Sequence, residues 1–142
     1  MPYEPLTRTL YTIGANATGG REGRTTTEDG VIDLPLGKPG SKTNPKANPE
    51  SLFAAGYAAC YNNALATIAR AEGIDVSGAT TRVAVSLGTT ETGVGIAAEV
   101  TSTIPGVDAE TAQRLAERAH ETCPYSKATR GNIDVTVTGT PA

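Results

Sequence analysis

The 142-residue sequence contains no tryptophan, one phenylalanine and five tyrosines. A core built from it must be aliphatic and rich in small side chains, and such a chain gains by burying surface in an oligomer. No apolar run approaches the roughly 20 residues needed to span a bilayer. The opening MPYEPLTRTL lacks a basic stretch followed by an apolar one, so a secretory leader is not expected and a cytoplasmic location is. The net charge of −3 leaves no basic surplus, which argues against nucleic acid or an anionic membrane as partners. Histidine and cysteine are scarce as well, one and two. With Cys60 and Cys123 far apart in the chain, neither CxxC chemistry nor a paired-ligand zinc site applies, and no metal is expected. In a cytosolic chain such cysteines are catalytic, redox-active or inert more often than a permanent staple.

What is present centres on one stretch, NPESLFAAGYAACYNNALATIARAEG, running from Asn48 to Gly73. Asn48 suits an N-cap, Pro49 the first turn, Glu50 the positive end of the helix dipole and Gly73 the stop. The row Leu52, Gly56, Cys60, Ala64, Ile68 is apolar and is flanked by Phe53, Tyr57 and Tyr61. A helix apolar on most faces packs on more than one side. Its many alanines and Gly56 suggest close backbone approach, a second copy of the same helix being one candidate.

Around this helix the pattern alternates. Leu6–Thr18 reads as a strand, Gly19–Gly23 as a turn and Arg24–Thr27 as a returning strand rich in threonine. Asp29-Gly30 marks a second hairpin into Val31–Leu36, and a polar loop, Gly37–Ala47, leads to the helix. Arg82–Leu87 and Val94–Val100 form two further strands, and Asp108 caps a second helix over Ala109–Thr122 that Pro124 stops. A loop, Tyr125–Asn132, precedes a last strand at Ile133–Val137. The order βββ-α-ββ-α-β, without repeats, predicts one α+β domain over 1–142 with mostly antiparallel pairing.

Both cysteines lie on apolar helix faces, so both can point into one interior. Two buried, inert thiols is one reading, since free cysteine packs as a small hydrophobe. A pair near in space, one mid-helix and one at an end free to move, equally suits attack followed by resolution.

Three segments carry a resemblance: ATGGREGR near the start, NPESLFAAGYAACYNNAL around Cys60 and AHETCPYSKATRGNIDV around Cys123. Together, in order over nearly the whole chain, they resemble the organic hydroperoxide resistance proteins, the Ohr branch of the Ohr/OsmC family of thiol peroxidases. The loop KTNPKANPE and Tyr61 depart from the usual family pattern. The resemblance implies a cofactor-free enzyme that reduces alkyl and fatty-acid hydroperoxides. Cys60 would be the peroxidatic thiol and Cys123 the resolving one, with Arg21 and Glu50 as polar partners of Cys60. The implied reductant is a lipoyl-type dithiol on a lipoylated protein. The implied fold is an intertwined homodimer with shared active sites, its sheets wrapped around two central helices.

Elementary chemistry fits this reading. Burial raises a thiol pKa, so a reactive Cys60 needs a cation. Arg21 stays charged and its planar fork can bond a thiolate and a peroxide oxygen together, with Glu50 holding it. Leu36, Leu52, Phe53, Tyr125 and Ile133 are candidates for an apolar substrate pocket. A regular helix puts Glu50 and Cys60 roughly 15 Å apart along its axis, so Glu50 is expected to reach the Cys60 site of the other subunit. Plainer roles remain open: Arg21 as a solvated turn residue, Glu50 as a dipole partner, and His120 as a packed group outside the catalytic set. The competing functions are a Cys–His hydrolase using Cys123, His120 and Glu117, and a non-enzymatic redox-sensing or binding domain.

Overall fold

The computed structural model describes residues 3–142. The chain divides into two compact units, 1–52 and 53–142, with the division falling one turn into the long helix.

The first unit holds a three-stranded antiparallel meander: β1 (Ala15–Thr18), β2 (Arg24–Thr27) and β3 (Asp33–Pro35), in that spatial order. A single 3-10 turn at Gly20–Glu22 joins β1 to β2, entered through Gly19 at φ 72°. A side chain at Gly23 would drive into the Thr18 carbonyl, so this turn requires glycine there. Only Ala15–Thr18 of the stretch read as a first strand pairs; residues 6–14 alternate in sequence but have no partner strand. Leu36 is the one buried hydrophobic side chain among the described residues of this unit. Leu6, Leu10, Tyr11 and Val31 stand exposed.

Helix α1 (Pro49–Ala71) starts as its sequence dictates. Asn48 Oδ1 accepts from the Ser51 N–H at 2.9 Å, while Ser51 Oγ accepts from the Asn48 N–H, a reciprocal cap. The helix is unbroken to Ala71, and Gly73 follows at φ 71°. Its buried residues are Tyr57, Tyr61, Ala64, Leu65, Ile68 and Ala69. That stripe is narrower than the nearly all-round apolar face read from sequence. The row Ala55, Ala59, Asn63, Thr67 is exposed, because small residues leave that face without knobs to pack in a single chain.

In the second unit β4 (Thr80–Thr89) pairs antiparallel with β5 (Val94–Ile104), and β5 pairs parallel with β6 (Val135–Pro141). The parallel pair departs from a purely antiparallel arrangement, since β5 and β6 are joined by a helical crossover rather than a hairpin. Helix α2 (Ala109–Thr122) makes that crossover. Asp108 caps it, accepting from Thr111 N–H at 2.8 Å, and the contact with Thr111 holds the Asp108 carboxyl below its usual pKa. Ala112, Leu115, Ala116 and Ala119 form its buried stripe. Tyr57, Tyr61, Leu65, Leu115, Val100 and Ile104 are the largest apolar side chains of the core, and Cys123 lies among them. Tyr61 donates its hydroxyl proton to the Ala116 carbonyl, and burial pushes its pKa up.

The segment after Cys123 is not a loop. Pro124–Thr129 forms a short helix, α3, with Pro124 at its first position. Proline ends α2 because it cannot continue that ladder, and starts α3 because its fixed φ suits a first turn.

Close packing of α2 on β6 depends on Gly139. A Cβ there would lie 2.0 Å from the Ala112 carbonyl oxygen, a backbone atom that cannot swing aside. Gly139→Ala is expected to lower stability to urea by roughly 1–3 kcal/mol. Gly88→Ala, where a Cβ meets nothing within 4 Å, should stay within about 0.5 kcal/mol of the parent. Equal midpoints for the two variants would contradict the packing described.

Candidate active site

Cys60 sits on α1 and Cys123 at the corner between α2 and α3, and their sulfurs are 3.6 Å apart with both thiols free. That is a weak S–H···S contact in which Cys123 donates, not the ~2.05 Å of a bond. Cys123 is fully buried and Cys60 half-buried. The corner gives Cys123 two backbone duties: its N–H bonds the Ala119 carbonyl and its C=O accepts from Lys127 N–H, each at 2.9 Å. The helix end expected to be free to move is therefore bonded on both sides.

Around Cys60 the electrostatics within the second unit do not favour a thiolate. Burial pushes its pKa up most, the Tyr125 backbone N–H pulls it down, and Cys123 pushes it up again. Tyr125 comes this close because α1 carries Gly56 at that point. A Cβ on Gly56 would lie 2.8 Å from the Tyr125 hydroxyl. At Gly56 itself, the close approach read from the sequence is made by Tyr125 of the same chain. Its ring also packs on Phe53 and Tyr57, with centroids at 6.0 and 5.7 Å.

Behind the sulfurs lies a buried polar network that the sequence reading left out. Tyr57 Oη is 2.8 Å from Ser126 Oγ and 3.2 Å from Thr129 Oγ1, and Ser126 Oγ is 2.8 Å from His120 Nδ1. Arg130 Nη1 donates to the His120 carbonyl at 2.7 Å, a cation on the last turn of α2. Burial and the Arg130 charge together hold the His120 pKa below its ordinary value, so the ring is neutral near pH 7. The signal for this cluster was the spacing: His120 and Ser126 each stand three residues from Cys123, and Tyr57 three from Cys60.

In the first unit Arg21, in the 3-10 turn, and Glu50, in the first turn of α1, form an ion pair, with side chains 49% and 14% exposed. Leu36 is buried and lines a cavity of about 350 Å³ with Lys38 and Lys46, and Leu52 is half-buried. Phe53 and Tyr125 meet in the second unit, whereas Ile133 lines a separate cavity of about 790 Å³ with Ser86, Thr89 and Ile96. Among the described residues no cluster of three metal-ligating side chains occurs, and no helix is long and apolar enough to cross a membrane. The hydrolase trio does not assemble: His120 Nδ1 faces Ser126, and Glu117 accepts from Gln113 at 3.1 Å.

The model of the OsmC-like protein family matches residues 40–138, a span that includes both cysteines. The chain belongs to the OsmC-like family. Over 135 residues it is 44% identical to an organic hydroperoxide resistance protein of Xanthomonas axonopodis pv. citri, covering 92% of this chain and 95% of the relative. It is 43% identical over 138 residues to the organic hydroperoxide resistance protein OhrA of Bacillus subtilis, covering 93% and 97%. Among solved structures, an organic hydroperoxide resistance protein from Elizabethkingia anophelis superposes with TM-score 0.88 at 44% identity, covering 96% of this chain and all of the other. The α+β fold with two three-stranded sheets is thus the Ohr/OsmC fold.

Two thiols in contact within one chain should close on each other. Mild oxidation with diamide is expected to take free thiols from two to none, leaving a single-chain band on a non-reducing gel. Cys123→Ser should prevent this closure. Disulfide-linked dimers as the main product would contradict the geometry.

Proposed function

We propose that this protein protects against organic hydroperoxides as a cysteine-based peroxidase, with residues 1–142 acting as a single Ohr/OsmC-like domain. One observation carries the reading: two free thiols 3.6 Å apart, one half-buried and one fully buried, in a chain of this family.

The Cys60 thiolate attacks one peroxide oxygen, the O–O bond breaks, and the alkoxide leaves as an alcohol once protonated. Cys60 is then a sulfenic acid. The Cys123 thiol condenses with it, forming the S–S bond as water departs, and an external dithiol of the lipoyl type returns both thiols by exchange. No cofactor enters this cycle.

The surroundings of Cys60 within its own unit leave the thiol pKa raised, so the nucleophile needs a cation from elsewhere. Arg21 is that cation in this reading and Glu50 fixes its guanidinium, the two being already paired. Negative charge building on the departing alkoxide is stabilised by the same guanidinium. Leu36, Leu52, Phe53, Tyr125 and Ile133 provide apolar surface for alkyl and fatty-acid chains.

The working form is a homodimer with shared sites in the cytoplasm. Its supports are the exposed Leu6, Leu10, Tyr11 and Val31 and the exposed small-residue row of α1. Because α1 runs unbroken from Pro49 to Ala71, the Arg21–Glu50 pair of each chain serves the Cys60 of the other copy.

Steady-state consumption of cumene or tert-butyl hydroperoxide with dihydrolipoamide tests the whole reading. Catalytic turnover above the dithiol background is expected, and consumption limited to one equivalent would favour a redox sensor instead. Arg21→Met should lower kcat roughly 10²–10³-fold. An Arg21→Met protein with parental kinetics would sink the role given to the guanidinium.

A further inference from the structure

The peroxidase chemistry proposed above does not use His120, Ser126 or Tyr57, yet the three are bonded in a chain beside the cysteines. Tyr57 and Ser126 are fully buried, and His120 is half-buried. Each stands three residues from a cysteine: Tyr57 before Cys60 on α1, His120 before Cys123 on α2, and Ser126 after Cys123 on α3. Tyr57 lies one helical turn from Cys60 on α1, while His120 and Ser126 flank the Cys123 corner from the end of α2 and the start of α3.

The donors can be counted. Thr129 Oγ1 is 3.2 Å from the Ser126 carbonyl, its donor route within α3. In the neutral tautomer that leaves Nδ1 unprotonated, Nδ1 accepts from Ser126 Oγ–H and Ser126 Oγ accepts from Tyr57 Oη–H, so that every hydroxyl proton is in use. Arg130 closes the same corner from the other side by bonding the His120 carbonyl. Three helices that share no backbone ladder are thus tied together next to Cys123.

From this geometry we infer that the chain Tyr57–Ser126–His120 is a clasp that positions the resolving thiol, holding the α2–α3 corner so that Cys123 stays in reach of Cys60. The inference rests on the peroxidase reading. In the resolving step the Cys123 Sγ bonds the Cys60 Sγ, the S–O bond of the sulfenic acid breaks, and the oxygen leaves as water with the thiol proton. The sulfurs must approach by about 1.5 Å from their present 3.6 Å. Rate in such a step depends on how the reacting atoms are held. If Cys123 is late, a second hydroperoxide molecule oxidises the waiting sulfenic acid to a sulfinic acid, which the dithiol cannot recover. The clasp thereby sets how much hydroperoxide the protein survives.

His120, Ser126 and Tyr57 are positioning residues, not catalytic ones, so the test separates the two half-reactions. The full chain, reduced, is mixed with one equivalent of cumene hydroperoxide. Cys60 sulfenic acid is trapped with dimedone at timed points, and disulfide and sulfinic acid are read by intact-mass spectrometry. In His120→Ala and Ser126→Ala, Cys60 oxidation is expected within about twofold of the parent while disulfide closure slows roughly 10–100-fold. Sulfinic acid at tenfold hydroperoxide excess should rise to match. His120→Asn, whose amide oxygen can take the place of Nδ1 as acceptor, should restore closure to within about threefold. A protein merely loosened at this corner would not be rescued by an acceptor.

Circular dichroism shows whether each variant is folded. If His120→Ala is not, the comparison of Ser126→Ala with His120→Asn decides alone. Parental closure rates and sulfinic acid yields in the folded variants would overturn the clasp. A parent in which one equivalent of cumene hydroperoxide leaves neither Cys60 sulfenic acid nor the Cys60–Cys123 disulfide would instead overturn the peroxidase reading.

Discussion

A pair of sulfur atoms in contact but unbonded is the constraint the second unit is built around. Keeping Cys60 and Cys123 at 3.6 Å needs a helix delivering each and a corner that cannot drift. Cys123 is shut off from solvent and Cys60 only half so, and the partial burial of Cys60 disfavours the thiolate on which peroxide chemistry depends. The corner answers part of that conflict locally, since α3 directs the Tyr125 N–H at Cys60. One backbone dipole does not reverse the desolvation of a thiol, and burial remains the largest influence on it. In the proposed peroxidase, Arg21 supplies the full charge.

Much of this was legible in the sequence, and the reasons are specific. The cap at Asn48, the cap at Asp108 and the stop at Gly73 are short-range signals, each satisfied by one or two hydrogen bonds of the predicted kind. The 3.6-residue pattern of α2 places Ala112, Leu115, Ala116 and Ala119 on one stripe, as found. The pairing of Arg21 with Glu50 followed from a resemblance carried by whole segments, not from charge pattern, since a turn arginine by itself is a surface residue.

What escaped the sequence reading has physical causes too. Residues 6–14 alternate like a strand, but alternation reports only a half-buried pleat and cannot supply a neighbour to pair with. Pro124 was read as a terminator, because proline's missing N–H and its ring both stop a ladder. The same fixed φ serves as an initiator, and only the fold decides between the two uses. The parallel pairing of β5 with β6 is a long-range choice set by the α2 crossover. The Tyr57–Ser126–His120 network spans up to 69 residues of sequence, and the three-residue spacing around each cysteine does not say that these groups meet one another.

The shortage of large side chains, which at first reads as a weakness, bears directly on the chemistry. With no tryptophan and one phenylalanine, the core closes by bringing backbones near each other through alanine and glycine. Gly139 lets β6 approach the Ala112 carbonyl, and Gly56 lets the Tyr125 ring cross α1. That crossing anchors α3 by a bulky side chain whose own backbone N–H lies at its first turn, and this N–H faces Cys60. A larger residue at position 56 would push on the hydroxyl end of that ring. Close packing by small residues thus reaches the surroundings of the thiol, since the residue whose ring packs at Gly56 is the one whose backbone N–H faces Cys60.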